Sequence, residues 1–313
     1  MAHDWKEIKE LLFTNKIWDL KLEEIPSHAW KRFVHFVQIV RATVDTFAEN
    51  RMGFQCVALS YFVTLACIPF VALVFFVSNG LRISDEVTTL LKEVIPNNAE
   101  LLNIALDKAQ NIINVAHSGP VGVVSAILFF WTIIWLMFQV ERVFNNVWGV
   151  RKIPRNILKR FGFYLGFMIL SPFIVIIFTY GIALYSNATS LIGWDMGYLS
   201  FIPKLLGRLL FYAFTVFTLS AMYKYIPAPK VRYKFALQSA IFAALVFVGF
   251  QYLYLETQVF VSRLNAVYGV IAAIPLFLIW LNFSWQIVIY GAELTYSLQF
   301  VNENNGNESE QQV

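Results

Sequence analysis

Residues 264–292 read LNAVYGVIAAIPLFLIWLNFSWQIVIYGA, 29 consecutive positions without Asp, Glu, Lys or Arg. A helix rises about 1.5 Å per residue, so a hydrocarbon core about 30 Å thick is crossed by about 20 apolar residues. The stretch therefore crosses with residues to spare. Five more charge-free runs precede it: 54–81 (28 residues), 109–140 (32), 161–194 (34), 209–223 (15) and 235–255 (21). The second opens with polar Gln110, Asn111, Asn114 and His117, so its spanning part starts near Pro120, and the third turns polar after Tyr185. The fourth is short, but Arg208 and Lys224 flank it and can extend their ammonium and guanidinium heads outward. The pattern predicts an all-α polytopic membrane protein with six transmembrane helices at about 56–80, 118–140, 161–185, 205–223, 235–255 and 266–292.

Composition agrees. Hydrophobic residues make up 58% of the 313 and charged residues 14%, and mean hydropathy is +0.60, where soluble domains carry about 25% charge. This argues against disordered, collagenous and disulfide-framework chains and against an ordinary soluble enzyme. Cys56 and Cys67 are 11 residues apart, about 16 Å along one helix, too far to bridge.

Lys and Arg set the orientation. Eighteen lie before the first span and in the second-to-third and fourth-to-fifth connections, against six on the other side. Charges far from the spans count less, and discounting them leaves the same sense. Both termini are predicted to be cytoplasmic.

Outside the spans, residues 1–53 form a cytoplasmic or interfacial amphipathic region. Within it, Trp30, Phe33, Val37, Val40, Val44 and Phe47 recur at spacings of 3 and 4. This suits a helix lying in the membrane interface or docked on the bundle. No h-region or cleavage pattern of a signal peptide is visible in these residues. The acidic segment 82–117, with Pro96 between two short periodic stretches, predicts a small extracytoplasmic helical hairpin that either gates a cavity or covers the spans. The Asn- and Glu-rich residues 296–313 read as a disordered cytoplasmic tail.

Signals for chemistry are sparse. The four histidines are His3, His28, His35 and His117, and no HExxH, CxxC or phosphate-binding GxxxxGK[ST] pattern occurs. No catalytic residue, metal or cofactor is predicted, and the basic connections follow the topology rule rather than a nucleic-acid patch. Polar residues inside the spans are costly and mark candidate substrate contacts. They are Ser60, Tyr61 and Thr64 in the first span, Gln251 in the fifth, and Asn282 and Gln286 in the sixth, with Glu293 at its end. Asn282 and Gln286 are four apart and Glu293 follows by seven, giving one ladder along a helix face. Plain interhelical hydrogen bonding is the other reading of this ladder. Pro69, Pro172 and Pro275, with Gly269, are candidate helix breaks, either the broken helices of transporters or simple kinks. Arg142, Lys224 and Lys230 are candidates for attracting an anion at the cytoplasmic face.

Four stretches together resemble the YihY/BrkB family of bacterial inner-membrane proteins: Ala58-Leu59-Ser60-Tyr61-Phe62 followed by Pro69; residues 141–150, ERVFNNVWGV; Tyr225-Ile226-Pro227 leading to Val231; and Tyr268-Gly269, Ile279-Trp280-Leu281 and Gly291-Ala292-Glu293-Leu294. Ser239-Ala240 departs from the Gly-Ala expected there. The resemblance implies a six-helix cytoplasmic-membrane protein linked to envelope processes, with lipid or glycolipid transport suggested for some members. A ribonuclease label once attached to the family finds no metal or acid–base cluster in this sequence. The leading expectation is thus a transporter or flippase of an amphipathic lipid, without a nucleotide-hydrolysing domain. The alternative is a non-transporting scaffold for envelope biogenesis, and a membrane-embedded enzyme or ribonuclease ranks below both. Membrane lipids are the expected partners, with a second copy or envelope-biogenesis proteins as further candidates and no nucleic acid.

Overall fold

A computed structural model describes residues 28–80, 103–104, 106–108, 111, 120–150, 156, 158, 160–162, 164–166, 169–170, 173, 201–262 and 266–310. Its long elements are α1 His28–Glu49, α2 Met52–Gly80, α3 Pro120–Val147, α4 Phe201–Tyr225, α5 Tyr233–Ser262 and α6 Ala266–Glu310. No strand occurs among the described residues. Between α3 and α4, the described residues from Leu158 to Phe173, which run into the third predicted span, are helical. Pro172 and most of the predicted outer hairpin lie outside the described residues, although 103–104, 106–108 and 111 are helical.

The helices pack around α6, which touches α5, α2 and α1 extensively; α4 lies against α5 and α3 against α2. Side-chain size explains how closely α5 approaches α6. The buried face of α5 is small, with Ala236, Ser239, Ala240, Ala243 and Ala244, and it meets Gly291 and Ala292 of α6. Small residues let two backbones approach, the usual basis of helix association in membranes. Ser239, where the resemblance suggests glycine, is fully buried, and its hydroxyl has no hydrogen-bond partner. The opposite face of α5 is large and outward: Phe242, Leu245, Val246 and Leu253 are all more than half exposed. Small residues inside and large apolar residues outside invert the soluble pattern. Tyr233–Gln258 and Pro275–Val301 are long and apolar enough to cross a membrane by length and composition, and Met52–Cys67 is a shorter apolar stretch.

Two expectations change. The helix α6 does not end near residue 292 but continues to Glu310, so the segment read as a disordered tail is helical almost throughout. Ser297 and Val301 are buried on the first part of this extension. Secondly, α2 runs through Pro69, and α6 through Gly269 and Pro275, without interruption. Each proline releases the carbonyl one turn before it without ending its helix.

Helix α1 has three faces. Val34, Gln38, Ile39 and Thr43 are buried, and Phe47 stacks on Tyr290 of α6 with ring centroids 3.8 Å apart. Phe33, Phe36, Val40 and Val44 point outward on a second face, and Arg41 pairs with Asp45 at 3.6 Å on a third. The helix is therefore docked through the face that carries Gln38 and Thr43, and Phe33, Val40 and Val44 of the predicted apolar stripe remain exposed. His35 sits half-buried on α1, and burial lowers its imidazole below the ordinary range.

The turn into α2 places Arg51 at φ 50°, where a β-carbon is crowded. Phe54 N–H donates to the Arg51 carbonyl and Gln55 Nε2 to the Asn50 carbonyl, both fixing the turn. Arg51 is exposed, so Arg51→Gly removes strain without removing packing. We expect it to stabilise the protein by about 1 kcal/mol, read as a higher Tm in detergent.

Candidate functional site

The end of the bundle where α1 meets α2 gathers the polar chemistry. At the close of α3, Glu141 is 1% exposed and accepts from Arg160 at 2.6–2.7 Å. Tyr164 hydrogen-bonds the same carboxylate, and the Arg160 guanidinium lies 4.9 Å from the centroid of the Phe138 ring. One turn on, Asn145 is fully buried. Its Nδ2 donates to the Glu141 carbonyl and its Oδ1 accepts the backbone N–H of Ala228 at 2.8 Å. A side chain of α3 thereby holds the loop between α4 and α5. Gly149 at φ 64° closes the helix, with Val150 N–H returning to the Asn145 carbonyl. From the last turn of α4, Lys224 Nζ donates to the Val231 carbonyl of the same loop, and Gln299 of α6 bonds both Arg232 N–H and the Lys230 carbonyl.

Between α2 and α3 at this end opens a cleft of about 460 Å³. Gln55, Gln139, Arg142 and Asn146 give it amide and guanidinium groups, and Ala58, Leu59, Phe62, Val143 and Val150 give it apolar walls. The cleft is chemically divided, with hydrogen-bond donors for an anion beside a surface for hydrocarbon.

The residues singled out from sequence fall in several places. Arg142 lines this cleft, whereas Lys224 stands in the last turn of α4 and Lys230 in the α4–α5 loop. Ser60 and Thr64 share one face of α2 but donate to their own helix, to the carbonyls of Cys56 and Ser60 at 2.8 Å. Tyr61 points outward, 61% exposed. Gln251 of α5 accepts from the indole N–H of Trp280 at 2.9 Å, joining α5 to α6. Gln286 Nε2 donates to Asn282 Oδ1 at 2.6 Å. Glu293 is fully buried on the same face of α6. The structure thus brings Arg142 into a cleft without the other candidates, and the α6 ladder is a separate feature. Gln55, Gln139, Asn145 and Asn146 were missed as site residues. Gln55 and Gln139 stand just inside the ends of charge-free runs, and the Asn pair lies in a stretch already singled out, so a signal existed for each. Among the described residues, no three His, Cys, Asp or Glu side chains converge as a metal site would require.

Comparison with known proteins bears on this arrangement. The chain is 27% identical over 266 residues to UPF0761 membrane protein NTHI0384 of Haemophilus influenzae (strain 86-028NP), covering 82% of this chain and 93% of that one. It is 28% identical over 257 residues to a UPF0761 membrane protein of Actinobacillus pleuropneumoniae serotype 5b (strain L20), covering 78% and 87%. A relative from Psychrobacter sp. (strain PRwf-1) is 24% identical over 285 residues, which cover 88% of this chain and half of that protein. No solved structure matches the chain. The profile of the family described as "Virulence factor BrkB" matches residues 43–313, which takes in α2 to α6, the cleft and the polar ladder; the chain is a membrane protein belonging to that family.

Proposed function

We propose that the protein is a transporter or flippase of the bacterial inner membrane that takes an anionic amphipathic lipid of the cytoplasmic leaflet into the α2–α3 cleft. The observation that carries this reading is the division of the cleft. Arg142 with Gln55, Gln139 and Asn146 offers a guanidinium and three amides to a phosphate-like head group, beside apolar Ala58, Leu59 and Phe62 for its hydrocarbon. Guanidinium is suited to phosphate because its donors form a planar fork, and it is only weakly hydrated. The Lys and Arg asymmetry supports placing this end of the bundle, and both termini, in the cytoplasm, where anionic lipids concentrate. No nucleotide-binding loop occurs in the sequence, so movement would follow an ion gradient or the lipid's own gradient.

The test uses the full chain in nanodiscs and liposomes. Wild type is expected to retain phosphatidylglycerol over phosphatidylcholine and to change the sidedness of a labelled lipid. Arg142→Ala should weaken anionic-lipid retention about tenfold, the worth of one charge-assisted contact, and Arg142→Glu more. Equal retention in wild type and Arg142→Glu, with lipid sidedness unchanged by wild type, would overturn the reading. A non-transporting scaffold is the second reading, favoured by the tight fit of α5 on α6 around Gly291. It predicts retention of lipid without any change in sidedness.

A further inference from the structure

We propose that Glu293 is a proton-binding site built into α6, opening to solution through the turn between α1 and α2. Its side chain is fully buried, and neither carboxylate oxygen accepts a hydrogen bond. The amide of Asn50, in that turn, faces it without closing to hydrogen-bond geometry, and Tyr296 is its aromatic neighbour one turn along α6.

Among the described residues, the charged and titratable groups on the packed elements are engaged elsewhere or point away. On α1, Arg41 is paired with Asp45, His35 is half-buried and Glu49 exposed; Arg51 is exposed in the turn. On α3, Glu141 is held by Arg160, and Arg142 lines the cleft. On α4, Lys224 bonds the Val231 carbonyl, and on α5 Lys234 and Glu256 are exposed. None forms an ion pair with Glu293. An ionised carboxylate in such a place costs several kcal/mol, whereas the neutral acid sheds most of that penalty. Glu293 therefore carries a proton while the turn is closed, and releasing it requires water to reach the carboxylate.

The route for that water is set by geometry. Towards the middle of α6, fully buried Ile289 stands between Glu293 and the Gln286–Asn282 hydrogen bond. Seven residues, about 10.5 Å of helix, separate Glu293 from Gln286, so the ladder makes no continuous chain in this conformation. On the other side lie Asn50 and the left-handed Arg51, a joint already under backbone strain. Displacing this turn uncovers Glu293 without disturbing the α5–α6 contact. The inference does not depend on the lipid cleft and stands or falls separately from it.

The experiment compares wild type with Glu293→Gln, which imitates the protonated acid, by reversible detergent titration of the full chain from about pH 5 to 9. Glutamate in an unfolded chain ionises near pH 4.3. Above that value the folded protein keeps a proton that the unfolded chain has lost, so stability must fall as pH rises. The wild-type unfolding constant is expected to rise up to tenfold per pH unit more steeply than that of Glu293→Gln, until Glu293 itself ionises. Parallel pH profiles would overturn the proposal. Infrared spectra of wild type labelled with ¹³C at glutamate carboxyls give a second readout that needs no variant. A protonated glutamate band at neutral pH supports the site, and its absence rejects it.

Discussion

Gly291→Leu is expected to prevent the bundle from assembling, and Gly291→Ala to lower its stability by about 3 kcal/mol, the upper range for overpacking. A β-carbon on residue 291 would stand 2.7 Å from Cζ of Tyr223 and 2.8 Å from the β-carbon of Ala243, with the Tyr223 hydroxyl nearer still. Neither neighbour yields cheaply. Tyr223 is fully buried, its ring tilted against Phe144 at 6.4 Å, and Ala243 is fixed to the backbone of α5. Ala over Gly gains about 1 kcal/mol of helix propensity, which the overlap outweighs. The hydroxyl of Tyr223 has no hydrogen-bond partner, so Tyr223→Phe sheds an unsatisfied group and makes room at once. Tyr223→Phe alone should be neutral or mildly stabilising, and combined with Gly291→Ala it should recover part of the loss. Thermal midpoints in one detergent check all three. Gly291→Ala melting at or above the wild-type temperature would contradict the close approach of α4, α5 and α6.

The second large effect belongs to Glu141 and Arg160. Arg160→Ala should cost about 3–5 kcal/mol, because it takes the paired guanidinium away from a carboxylate that is 1% exposed. Glu141→Gln should cost less, since Arg160 keeps 15% exposure and its contact with Phe138. Replacing both by methionine should recover most of the loss, as buried pairs exchanged for apolar groups often do. Equal stability of Arg160→Ala and wild type, by unfolding or by expression in membranes, would show that the pair contributes nothing.

The contrast between these two sites explains what could be read in the sequence. The apolar runs were legible because a bilayer forbids charge over a long contiguous stretch, a one-dimensional constraint. Five of the six long helices contain or adjoin such a run. The ladder of Asn282, Gln286 and Glu293 was legible too, because helical spacing alone puts these residues on one face. Partners across the bundle were not. Arg160 lies 19 residues from Glu141 and Ala228 lies 83 from Asn145, and no periodicity connects them. The cleft draws Gln55 from one helix and Gln139 and Asn146 from another, so it exists only once α2 and α3 are placed side by side. Composition pointed to disorder from residue 296, where the backbone is helical to Glu310 and Ser297 and Val301 are buried.

With 45 residues, α6 is about 67 Å long, more than twice the thickness of a hydrocarbon core. A rod of that length acts as a lever: tilting it by about 10° around its midpoint carries either end about 6 Å, roughly one helical turn. A small rocking about the middle of α6 would thus shift its two ends in opposite directions by about the rise of one turn.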